Sequence, residues 1–201
     1  MYWSIPKVWE GERVAVLCSG PSLTAEDAAL VADYPRIVTN ATYRMVPDAD
    51  IVYGSDVFFW RHEEYADVYE HPGLKVSVEQ LRGVTPFVPD GILVLRNDGF
   101  EGFCDRQDAI KTGGNSGYAA IHIAASAGAK EIVVLGLDMQ GTHWHGKHPH
   151  GLNNPREQSF VRWMRRFKLL ATELDRRGVK VWNCSPVSAL EAFEKCPLAD
   201  L

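Results

Sequence analysis

The sequence contains no run approaching the ~20 apolar residues of a membrane helix, so no span is expected. It has no basic surplus either: 21 Lys and Arg stand against 26 Asp and Glu, a formal net charge of −5. That balance argues against a broad basic footprint for nucleic acid and leaves only a local one open. The four cysteines (Cys18, Cys104, Cys184, Cys196) form no C-x-x-C pair and read as reduced core thiols of a cytoplasmic protein. The opening MYWSIPK lacks a signal peptide's charged start and apolar core. No internal repeat, low-complexity tract or linker divides the chain, and neither G-x-G-x-x-G nor a Walker A loop occurs in it. What is present is ordinary globular composition, 46% apolar and 23% charged over 201 residues, which suits one domain. A chain of this size buries about 70% of its unfolded surface and needs no disulfide or metal to fold.

Short valine-rich runs alternate with helical patterns. RVAVLC at 13–18 and EIVVL at 131–135 read as buried parallel strands. Further strands are expected at 36–39, 50–53, 74–78, 92–95 and 179–182. Helices are expected at 24–33, 55–70, 116–127, 155–177 and 187–193. Thr24 and Asp27 make a variant capping box for the first. In the longest, Phe160, Trp163, Met164, Phe167, Leu170, Ala171 and Leu174 share one face. Residues 97–114 and 139–154 read as loops. The alternation predicts a Rossmann-like three-layer α/β sandwich with a mostly parallel sheet, a single domain over 13–201 preceded by an arm over 1–12. The aromatic arm (Tyr2, Trp3, Trp9) either covers a neighbour in a homo-oligomer or packs on its own domain.

Ligands of such sheets sit beyond the carboxyl ends of the strands. That rule selects the turn Ser19-Gly20-Pro21-Ser22-Leu23, then Asn40, Asp56, Asp138 and the loop Gly113-Gly114-Asn115-Ser116-Gly117. Gly20 permits a tight turn and close backbone approach. Ser22 sets a hydroxyl and an amide near a helix start, where an anion is favoured. The glycine-rich loop converges amides, Asn115 and Ser116 on an anion or sugar, or is a flexible connector. Asn40 either reads a base edge or ribose, or makes an Asx-turn. Asp56 holds ribose hydroxyls or a metal, or caps the next helix. Asp138 has the same strand-end alternative.

Four of the seven histidines fall in one loop: His143, His145, His148 and His150. Neutral imidazoles serve as general bases or zinc ligands, imidazolium offsets phosphate charge, and a solvated loop needs neither. The spacing H-x-H-x2-H-x-H does not fix a metal geometry. His62, His71 and His122 stand alone and read as structural or surface residues. Arg162, Arg165, Arg166 and Lys168 form either a basic patch or a solvated face of the long helix.

Taken in order, VAVLCSGPSL, IVTNATYR, IVYGSDVFFW, NSGYAAIHIAASAGAKEIVVLGLDM, the histidine loop and GVKVWNCSPVSALEAF span nearly the whole chain. Together they resemble the fold shared by bacterial family-42 sialyltransferases and archaeal-type 6-hydroxymethylpterin diphosphokinases with their phage and bacterial relatives. The resemblance implies that Gly20, Pro21 and Ser22 match a nucleotide-phosphate turn in which Ser19 replaces an Asn. It implies nucleotide or donor contacts for Asn40, Ser116 and Gly117, and a catalytic base at His150 or His148. The chain departs from the sialyltransferases in carrying Gln140 and no tyrosine after Asp138, Gly54 where they have an Asn, and a short segment before the central helix. These departures point away from sialyl transfer itself. The diphosphokinase branch implies ATP and Mg²⁺, with Asp56 or Asp138 holding the metal.

Three functions follow as expectations. The first is a glycosyltransferase with a nucleotide-sugar donor and a loop histidine as general base. The second is an ATP- and magnesium-dependent diphosphokinase. The third is a non-catalytic nucleotide-binding module. The acceptor is a saccharide, a small metabolite or a modified nucleic-acid base.

Overall fold

Valine-rich runs form the middle of a parallel sheet because helices cover both of its faces. The computed structural model of the chain describes residues 1–80 and 89–201. Among these, nine strands form one sheet: β1 (Arg13–Leu17), β2 (Arg36–Thr39), β3 (Ile51–Tyr53), β4 (Leu74–Val78), β5 (Leu93–Asn97), β6 (Ala109–Ile110), β7 (Glu131–Leu135), β8 (Lys180–Asn183) and β9 (Glu194–Lys195). Their order is β6-β5-β4-β3-β2-β1-β7-β8-β9, and every pairing is parallel. The chain winds outward from β1 to β6, crosses back, and winds the other way from β7 to β9. The expected Rossmann-like sandwich is therefore the fold, with its reversal point between β1 and β7.

Side chains alternate across the sheet with period two. Val14, Val16, Ile132 and Val134 enter one core with helices α3 (Ser116–Ser126) and α4 (Glu157–Arg176). Ala15, Leu17, Val133 and Leu135 enter the other, with α1 (Ala25–Leu30) and α2 (Val57–Arg61). β1 and β7 align residue for residue, from Arg13 opposite Glu131 to Leu17 opposite Leu135. Arg13 Nε and Glu131 Oε2 pair at 2.6 Å at the amino end, far from the ligand edge. No helix among the described residues is long and apolar enough to cross a membrane.

Several boundaries differ from the sequence reading, each for a local reason. The helix expected over 55–70 breaks at His62, whose extended backbone and ring nitrogen cap a following 3-10 turn, Glu63–Glu70. The helix expected over 187–193 does not form. There Ser188 Oγ donates to Leu137 O at 2.6 Å and accepts from Leu190 N at 3.2 Å, while Ser185 Oγ accepts from Leu137 N at 2.8 Å. The serine hydroxyls tie the segment to the β7 exit at Leu137 and engage the Leu190 amide locally, in place of a helical ladder. Residues 97–114, expected as loop, include the two-residue β6. α1 ends at Leu30 rather than near Asp33. The arm packs on its own domain: Ile5 and Trp9 are 2% and 8% exposed within the α3–α4 core.

Candidate functional site

The carboxyl ends of β1, β2, β3 and β7, the start of α3, the histidine loop and the start of α4 enclose one cleft of about 680 Å³. That size suits a small organic ligand or cofactor. Its position is the reversal point of the sheet, where open parallel sheets take their ligands.

The β1 exit makes its floor. Cys18, Ser19 and Gly20 border the cleft; Pro21 and Ser22 do not. Gly20 N donates to Gly136 O at 2.8 Å. A Cβ at Gly20 would stand 2.3 Å from Gly136 O and 2.5 Å from Asp138 Oδ2, so only glycine fits. The Ser22 amide and hydroxyl both donate to Asp138, at 2.8 and 2.5 Å. Asp138 is 1% exposed, and both of its oxygens are occupied by this lock between the two strand exits. Ser19 Oγ turns to Thr39 O and Thr42 Oγ1, at 3.0 and 2.9 Å, and ties the β1 turn to the end of β2. Burial pushes the Cys18 thiol well above its ordinary value, with the Asp138 carboxylate acting in the same direction, so it stays protonated.

Asn40 and Ser116 face one another across the cleft, Nδ2 to Oγ at 3.5 Å. Asn40 has φ +48 and Met139 φ +53, and both border the cleft. Left-handed backbone outside glycine is uncommon and clusters at functional sites. Asn115 caps α3, its Oδ1 accepting from Tyr118 N at 3.1 Å. Gly113 and Gly114 are both left-handed (φ +62 and +67), the conformation this entry turn requires. A Cβ at Gly117 would meet Cys18 Sγ at 2.7 Å, so its absence lets α3 start directly against β1. Asp56 also borders the cleft and caps α2, with Oδ1 accepting from Phe58 N at 2.9 Å. Gly54 has no space for an asparagine: a Cβ there would lie 2.8 Å from Phe59.

Arg156 and Arg162 extend from α4's start into the cleft wall, beside Phe160 and Trp163. Neither arginine forms an ion pair among the described residues. These residues were missing from the expected site. The long helix's periodicity announces its buried face but not what its first turn overlooks. The basic patch divides in the structure: Arg162 faces the cleft, Arg165 pairs with Glu101 at 2.7 Å, and Arg166 donates to Gly113 O at 2.8 Å.

The histidine loop is tied back to this floor. Trp144 N donates to Ser19 O at 3.0 Å, and His148 N donates to Asn154 Oδ1 at 2.8 Å. The His143 and His145 rings stack with centroids 5.1 Å apart; His148 tilts against them at 4.2 and 5.1 Å. His143 and His148 border the cleft. Burial holds the His148 imidazole down to about 4, with His143 and His145 adding repulsion, and burial also lowers the other two. His150 is exposed and does not border the cleft; its carbonyl lies 3.2 Å from His62 Nε2. Of the two histidines expected as base, the structure brings only His148 to the cleft.

His122 is fully buried, Nε2 accepting from Cys104 N at 2.9 Å, and His71 is buried with Nε2 on Val46 O at 3.1 Å; both are structural. The chain matches no family model, no curated protein and no solved structure.

Proposed function

We propose that this protein is a nucleotide-dependent transferase that binds a nucleotide sugar in the cleft at the β1–β7 reversal point and moves its glycosyl group to an acceptor hydroxyl. One observation carries the reading: the capped start of α3, with Asn115, Ser116 and Gly117, opens onto the same cleft as the unpaired guanidiniums of Arg156 and Arg162. A helix start and unpaired guanidiniums together suit the phosphates of such a donor. Asn40, placed at 3.5 Å from Ser116, suits the ribose or base. In the transfer, the acceptor oxygen bonds to the anomeric carbon while that carbon's bond to the donor phosphate oxygen breaks. The electron pair leaves with the nucleotide, between the α3 amides and the arginines, where the developing charge is stabilised. The acceptor proton passes to the His148 imidazole; His148 borders the cleft and His150 does not, which supports placing the reacting side at His148.

The diphosphokinase reading is less well supported. Asp138 is buried and tied to Ser22 through both oxygens, Asp56 caps α2, and neither belongs to a group of three or more ligating side chains among the described residues, so the pair suits a magnesium ion poorly.

Thermal unfolding with CMP, UDP, GDP, CTP, ATP and nucleotide sugars, with and without Mg²⁺, tests the reading. A pyrimidine nucleotide or its sugar near 100 times its Kd raises the midpoint by about 5–10 °C without Mg²⁺. Arg162→Ala removes most of that rise and leaves the ligand-free midpoint unchanged. Silence toward every nucleotide defeats the proposal, and a shift that requires ATP with Mg²⁺ replaces it with the diphosphokinase.

A further inference from the structure

We propose that His143, His145 and His148 form a binding site for one divalent transition-metal ion of the zinc class, with the fourth position open to the cleft. Among the described residues, the only set of three or more His, Cys, Asp or Glu side chains with ligand atoms close enough to share an ion is this one. The three nitrogens lie within 4.8 Å of one another. Zinc–nitrogen bonds of ~2.0–2.1 Å place tetrahedral ligand atoms about 3.4 Å apart, so small ring movements close the site.

His143 Nδ1 and His145 Nε2 are buried and have no hydrogen-bond partner among the described residues. A buried polar atom without a partner costs roughly 1–3 kcal/mol, and an ion between the rings would satisfy both nitrogens. Among the described residues no carboxylate forms an ion pair with any of the three rings, so their lone pairs remain available for a cation. His148 Nδ1 lies 3.4 Å from Tyr65 Oη, which leaves its Nε2 for the ion and supplies the outer partner that orients a ligating imidazole.

The loop is held in place for this task from several directions. Besides the Trp144 and His148 amide bonds, Trp144 Nε1 lies 3.4 Å from Thr42 Oγ1, and Thr142 Oγ1 donates to Gly146 O at 3.1 Å. Left-handed Gly146, φ +89, bends the loop between His145 and His148. His143 and His148 border the cleft while His145 does not, so an ion on the trio would sit in the cleft wall. Three imidazoles and one free position are the ligand set of catalytic rather than closed structural zinc. Under the transferase reading, the acceptor hydroxyl would occupy that position with its pKa lowered by the ion, its proton would leave to water in the open cleft, and His148 would then serve as a ligand in place of a base. Metal binding itself does not depend on that reading and is measured without any nucleotide.

Untagged full-length protein, stripped with a chelator and dialysed, is titrated with Zn²⁺ by calorimetry. Co²⁺ is added to a separate metal-free sample to read geometry by visible absorption. The expected result is one ion per chain, micromolar or tighter, with the intense bands of four-coordinate cobalt. His143→Ala, His145→Ala and His148→Ala each weaken binding by about tenfold or more, whereas His150→Ala, in the same loop but outside the trio, does not. Melting in chelator verifies the fold of each variant; where an alanine variant does not fold, the corresponding Asn variant replaces it. Absence of binding, or equal losses in His150→Ala and the trio variants, overturns the site. Binding of zinc together with no response to any nucleotide would leave this site standing and defeat only the transferase proposal.

Discussion

At the scale of single residues, His122 shows how burial becomes a pH dependence. It lies inside α3 with no exposed surface, stacked at 4.0 Å on Phe103, with Nδ1 3.3 Å from Ser126 Oγ. Burial pushes its pKa down from 6.5 to about 3. Above pH 6.5 folded and unfolded chains both carry it neutral. As the pH falls from 6.5 toward 3, the unfolded chain takes up a proton that the folded chain refuses, so stability drains away toward acid. The slope from this group approaches ~1.4 kcal/mol per pH unit. His122→Gln keeps an acceptor for Cys104 N but does not titrate. Urea midpoints from pH 7 to pH 4 should fall less steeply in the variant than in the parent; parallel curves would show that His122 contributes nothing to acid sensitivity. The sequence allowed a structural role for this histidine because no other histidine accompanied it, but its burial depended on α3 being covered on all sides. The Ser19–Ser22 turn was legible in the same partial way. Its glycine marked a close backbone approach, while the engagement of Ser22 with Asp138 joins residues 116 positions apart and has no local signature.

Elements were legible in proportion to how much of their pattern lay in adjacent residues. β1 and β7 read from their valines because strands covered on both faces carry unbroken apolar runs. β6 and β9, two residues each, exist through pairing with a neighbour and leave no pattern. The α4 wall of the cleft was missed because Arg156 and Arg162 resemble any solvated helix start until the histidine loop folds opposite them. α3 allows its structural and ligand roles to be separated. Asn115→Ala removes the acceptor for Tyr118 N and should lower stability by ~1 kcal/mol. Asn115→Asp keeps that acceptor and adds a negative charge beside the cleft. Denaturant unfolding should place the Asp variant near the parent, while its affinity for a nucleotide falls at least as far as that of the Ala variant. Equal affinity in parent and Asp variant would mean that no anion binds at this helix start.

The whole molecule depends on how the two directions of winding are held together. β1 and β7 pair at the centre, α3 packs across β1, β2 and β7, and the N-terminal arm fastens the far side. Trp3 N donates to Val94 O and Ile5 N to Gln107 O, both at 2.8 Å, near the β5–β6 edge. Trp9 N and Gly11 N then reach Ala127 O and Gly128 O, at 3.0 Å each, at the end of α3 beside β7. The arm thus spans from one winding direction to the other and buries Ile5 and Trp9 on the way. Two large apolar side chains removed from water contribute about 3–6 kcal/mol together, an upper value because the unfolded chain already hides some of their surface. Removing residues 1–10 should therefore lower unfolding free energy by several kcal/mol, read as a lower urea midpoint. Because the arm lies outside the residues that enclose the cleft, the folded fraction should retain nucleotide and zinc affinity. Loss of stability with affinity intact would identify the arm as a clamp on the sheet. An unchanged midpoint would show that β1–β7 pairing and α3 alone hold the two halves together.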